Sequence, residues 1–152
     1  MIIKGGTWLR VYELYLIEDF VAKYFYGRER IFFNLFKEYK QSTGEFKNIL
    51  KKQIDYITKP IPTLRIHTQL MSQLQKRKDY EVKNGIYYIC GKSGQAQLQI
   101  KENLLFIESN GTFEAEMVFI EALRKTEYNF FASDTEHFRY GWLKPLKKRK
   151  LI

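Results

Sequence analysis

Three short stretches carry residue types that could do chemistry, and each must meet the spacing its chemistry demands. Gly91-Lys92-Ser93 has the ending of a phosphate-binding loop. Such a loop needs four residues between its first glycine and the Gly-Lys pair, and it must open a helix whose amides point at the phosphate. Here Gly85 is followed by five strand formers, Ile86 to Cys90, and Gln95 to Lys101 alternates as a strand does. A turn fits better. Asp134-Thr135-Glu136-His137 gathers two carboxylates and an imidazole. A metal site needs three or four converging ligands, and the only other histidine, His67, lies far off in sequence. A polar turn without metal is expected. His67 falls on an apolar helical stripe and reads as a satisfied core histidine. Cys90 is alone, so neither an intramolecular disulfide nor a multi-cysteine zinc site can form, and within a strand it reads as a small buried hydrophobe. Asn110-Gly111-Thr112 matches the glycosylation acceptor pattern, but no secretory segment precedes it and it reads as a turn. Without a converging acid, base or nucleophile, the chain is expected to be no enzyme and to need no cofactor.

Binding is better supplied than catalysis. The net charge is +9, and Lys144, Lys147, Lys148, Arg149 and Lys150 carry five positive charges near one end. Lys147-Lys148-Arg149-Lys150 would suit phosphates, with Lys76-Arg77-Lys78 as a second cluster. No RNA-binding aromatic signature or helix-turn-helix spacing accompanies them, so a nucleic-acid-binding module is the alternative reading, not the favoured one. Aromatic residues offer more. From Glu18 the pattern turns helical, and at about 100° per residue Phe20, Tyr24, Val21 and Phe25 span an arc of about 140°. That is wider than the stripe of roughly 100° that one side of a surface helix buries. Val21 and Phe25 can enter a core while Phe20 and Tyr24 stay toward its edge, where large rings act as protein–protein anchors. Burial of all four side chains fits the same periodicity.

The elements that must position these residues follow from periodicity. With 152 residues, 45% hydrophobic and rich in Phe and Tyr, the chain suits one globular domain. No run reaches the length of a membrane span, and a cytoplasmic protein without membrane contact is the expectation. Residues 1–9 read as a flexible leader, 10–145 as the domain and 146–152 as a basic tail. Arg10 to Ile17 reads as a buried strand. Asp19 is placed as the cap of the first helix, and Gly27 as its break. A second helix carries Ile31, Phe32, Leu35, Phe36 and Tyr39. Ser42 and Glu45 have capping-box spacing before a third helix with Phe46, Ile49, Leu50, Ile54 and Ile57 on one face. After Pro60-Ile61-Pro62, the residues Leu64, His67, Leu70, Met71 and Leu74 fit a fourth. Asn84-Gly85 marks a hairpin, and a meander of strands runs to Ser109. Thr112 is placed as the cap of a last helix with Phe113, Met117, Ile120 and Leu123 as core stripe. Tyr128 to Ala132 and Arg139 to Leu143 form two closing strands. The order is that of an α+β fold, a mainly antiparallel sheet of about five strands packed with four to five helices.

Several of these residues together carry a resemblance. Tyr15-Leu16-Ile17, Asp19-Phe20, Tyr24-Phe25, Gly27-Arg28-Glu29 and Leu35-Phe36 are similar to the opening of the sporulation inhibitor of replication family, SirA. Gln53-Ile54, Tyr56-Ile57-Thr58 with Pro60-Ile61-Pro62, Phe113-Glu114-Ala115-Glu116 and Arg139-Tyr140-Gly141-Trp142-Leu143 before Pro145 continue it in order. The resemblance implies a non-enzymatic inhibitor of chromosome replication in Bacillus-type bacteria. Its implied partner is the N-terminal domain of the replication initiator DnaA. It further implies that the contact face uses the first helix, with Phe20 and Tyr24 as contacts and Asp19 and Ile17 beside them.

Overall fold

The computed structural model describes residues 8–146. The chain runs β1 (Arg10–Ile17), α1 (Asp19–Tyr24), α2 (Arg30–Gln41), α3 (Gly44–Ile57), β2 (Thr58–Lys59), α4 (Thr63–Leu74), β3 (Tyr80–Lys83), β4 (Ile86–Cys90), β5 (Gly94–Ile100), β6 (Leu105–Gly111), α5 (Glu114–Arg124), β7 (Phe130–Asp134) and β8 (Arg139–Trp142). Every strand pairing is antiparallel, in the order β3-β4-β5-β6-β1-β7-β8, with the two-residue β2 added to the end of β1. The fold is α+β with five helices, as expected. Eight described strands replace the expected five or so: the two-residue β2 leaves no alternation to read, and β3 is marked only by the Asn84-Gly85 turn that follows it.

Strand β1 lies within the sheet and is covered on both faces. Its alternate residues divide between two cores, as a period of two requires. Leu14 and Leu16 join Ile66 and Leu70 of α4 and Phe119 of α5 on one face. Tyr15 and Ile17 join Val21, Phe32, Phe36 and Ile54 under α1–α3 on the other, where the Tyr15 and Phe36 rings stack at 3.9 Å. The Asn84-Gly85 turn takes φ of +53° and +75°, the left-handed pair that a two-residue hairpin of this twist requires.

Several helix phases and caps differ from expectation. In α4, Ile66, Leu70 and Leu74 form the buried ridge and Leu64 is 77% exposed. Residues two positions apart on a helix point about 160° away from each other, so burying Ile66 turns Leu64 outward. In α5 the fully buried Phe119 likewise excludes Met117, and Phe113 stands before the helix. In α3 only Leu50 and Ile54 are buried, leaving Phe46 and Ile49 about half exposed. Glu18, not Asp19, occupies the N-cap of α1. Thr43 occupies that of α3, while Ser42 Oγ donates back to Glu38 O at 2.7 Å and closes α2. Phe113 takes the N-cap of α5, and the Thr112 hydroxyl meets Ser93 instead.

Candidate protein-docking surface

The joint between β1 and α1 is set by a backbone bond, Glu18 N to Ile57 O at 2.8 Å, which ties the start of α1 to the end of α3. From there the helix has one way to face. Val21 and Ala22 are buried against α2 and α3, which places Phe20 and Tyr24, one turn apart, on the outside. Phe20 is 58% exposed and Tyr24 70%. Phe25 turns partly inward, its ring 5.7 Å from Phe32.

Tyr56, at the end of α3, extends this surface. It is 73% exposed, and its ring meets Phe20 edge-on at 6.3 Å. The seam between α2 and α3 opens beside it as an apolar groove of about 470 Å³, with Ile31, Leu35 and Ile49 among its walls and Lys52 and Gln53 at its edge. Solvated rings next to an apolar groove are the composition of an interface centre, where aromatic anchors meet a concave neighbour. Tyr56 stood within the matching sequence segment, but its contact with Phe20 depends on how α1 lies against α3, which no local period encodes.

The other residues singled out by sequence are distributed as follows. Asp19 is exposed at the start of α1, with Lys59 Nζ at 3.5 Å. Ile17 is only 4% exposed and packs in the α1–α3 core, because β1 alternation sends it beneath the helix. It supports the surface and takes no place on it. Lys147, Lys148, Arg149 and Lys150 lie outside the described residues, as do Met1 to Thr7. Leu9, also read as leader, donates its amide to Ser109 O at 3.0 Å. Lys144 Nζ donates to Thr126 O at 2.7 Å and so finishes the turn after α5. Arg77 is held by Asp79 through two hydrogen bonds of 2.9 Å, and that guanidinium lowers the Asp79 pKa.

The stretches with enzyme-like composition are occupied structurally. Gly91-Lys92-Ser93 turns between β4 and β5, closed by Gly91 N to Gly94 O at 3.0 Å. His67 shares a hydrogen bond with the Tyr87 hydroxyl. Asp134 receives His137 Nδ1 and Arg139 Nη2, each at 2.8 Å. Burial alone would raise its pKa, but the hydrogen bonds from Arg139 and His137 outweigh that and hold it below the usual value. Among the described residues no three or more His, Cys, Asp and Glu side chains converge as a metal site, and no helix is long and apolar enough to cross a membrane. The expected stripe and capping of α5 overlooked one buried pair. Arg10 Nε donates to the fully buried Glu116 at 2.8 Å, and that bond raises the arginine pKa.

A family model described as sporulation inhibitor of replication protein SirA matches residues 10–147. The Bacillus subtilis (strain 168) protein described by the same words is 40% identical over 147 residues, covering 94% of this chain and 99% of that protein.

Proposed function

The chain belongs to the SirA family of sporulation inhibitors of replication, and from that premise we propose that it is a non-enzymatic inhibitor of replication initiation. In this reading it binds the N-terminal domain of the initiator DnaA through the α1–α3 surface, with Phe20 and Tyr24 as principal anchors and Tyr56 beside them. Occupying that domain withholds it from initiator self-assembly, so no new round begins at the origin. The observation that carries the reading is the joint exposure of two rings one turn apart on α1, bordered by Tyr56 and an apolar groove. Solvating such rings on a free protein is unfavourable unless a partner covers them.

The test is direct binding of the full chain to the isolated initiator domain by titration calorimetry. Phe20→Ala and Tyr24→Ala should each weaken the complex by about 2 kcal/mol or more, which is over tenfold. Both residues are solvent-facing, so far-ultraviolet circular dichroism should stay that of the parent. Parental affinity in both folded variants would remove the assignment. The nucleic-acid reading has less on its side. Of its described basic residues, Lys144 and Arg77 are engaged within the fold.

A further inference from the structure

We propose that Arg28 is a positioning residue for this surface, one that holds the Tyr24 ring in its outward pose without itself being a partner contact. The inference rests on the reading of α1 as the docking helix and concerns how so short a helix keeps its anchor in place. Six residues form α1, far fewer than a helix needs to persist alone, and no side chain caps its start. Tyr24 is mostly solvated, so core packing fixes little of its ring.

Arg28 supplies what packing does not. Gly27, at a φ of +83° that favours glycine, turns the chain back over the end of α1. Arg28 Nη2 then donates to Tyr24 O at 3.0 Å, a carbonyl that the ended helix leaves without an intrahelical donor. The same guanidinium lies 5.4 Å from the centroid of the Tyr24 ring and 5.1 Å from that of Phe25. Those two rings meet edge-to-face at 4.8 Å, and Phe25 meets the buried Phe32 at 5.7 Å. A continuous series of contacts therefore leads from the core to the exposed ring, through Phe32, Phe25 and Arg28 to Tyr24. Closing the helix end while covering two ring faces takes a flat, forked cation, and a lysine ammonium offers only a point charge.

A double-mutant cycle on the full chain, titrated with the initiator's N-terminal domain, separates positioning from contact. Arg28→Ala should weaken binding roughly three- to tenfold in the parent, as expected for cation–π and helix-end contacts near the surface. Arg28→Lys should recover little of that loss. In a Tyr24→Ala background Arg28→Ala should cost clearly less, because the ring it positions is gone and only its bond to the residue 24 carbonyl remains. Equal losses in both backgrounds would make Arg28 a direct contact and overturn the proposal. Parental binding by Arg28→Ala, with Tyr24→Ala impaired, would overturn it too while leaving the docking surface standing. If Tyr24→Ala itself binds as the parent does, the docking reading falls first. Arg28→Gln gives a readout without any partner: the Tyr24 ring proton resonances of the free protein should shift, and unchanged resonances contradict the proposal.

Discussion

Asp134 ends β7 with 1% of its side chain exposed, and three donors converge on it: Arg139 Nη2 and His137 Nδ1 at 2.8 Å and the His137 amide at 3.2 Å. The Asp134 to His137 stretch, read from sequence as a polar turn, forms one, and it is tied together by the hydrogen bonds that Asp134 accepts. Because the folded pKa lies below the ordinary 3.8, this carboxylate stabilises the fold fully above the ordinary value, and that contribution is lost as pH falls through the folded value. Asp134→Asn should therefore cost about 2 kcal/mol at pH 7, as expected for lost charge-assisted hydrogen bonds. In urea unfolding series the gap between parent and variant should narrow below pH 4 or so, toward the unfolded carboxylate range. A gap that stays constant from pH 7 to pH 3 would show that charge is not what the turn depends on. Phe20 and Tyr24 illustrate the opposite limit of legibility. Their spacing on α1 was plain, but whether they faced water depended on where α3 ended.

Element boundaries were legible wherever a local rule was strong. Asn84-Gly85 announced the β3–β4 hairpin, Gly27 the end of α1, and alternation in Gln95 to Lys101 a strand with Ala96 and Leu98 inward. Helix phase was less legible, since a run with apolar residues on more than one side fits several rotations equally. In α4 the choice between Leu64 and Ile66 is made by the sheet beneath, which accepts Ile66, Leu70 and Leu74 as a ridge. The energetic consequence can be measured. Ile66→Ala should destabilise by about 2–5 kcal/mol through the cavity it leaves. Leu64→Ser should stay within about 0.5 kcal/mol of the parent, because its side chain is already solvated. Chemical denaturation of the two variants compares them, and similar losses would mean that α4 packs in another phase. Capping failed for a related reason. Ser42 has the right spacing to start α3, but it is also within reach of Glu38 O one turn back, and that bond ends α2 instead.

At the scale of the whole molecule, the sheet carries α4 and α5 on one face and α1–α3 on the other, and β1 contributes to both cores. The proposed function needs only the second of these faces. Fold class was readable because alternating and helical periods follow one another cleanly along the chain. The composite surface was not, because Phe20, Tyr56 and Ile49 come from two helices whose relative placement is fixed by long-range contacts such as Glu18 N to Ile57 O. The proposed partner is implied by the family resemblance and by no feature of spacing. The most direct test of the account is an NMR titration of isotopically labelled chain with the unlabelled N-terminal domain of the initiator. The account predicts that resonances of Phe20, Tyr24 and Tyr56 and of the α2–α3 groove shift or broaden, while those of α4 and α5 stay in place. Perturbations gathered on α4, α5 or the Lys76 to Lys78 segment, with the α1 rings unmoved, would contradict it.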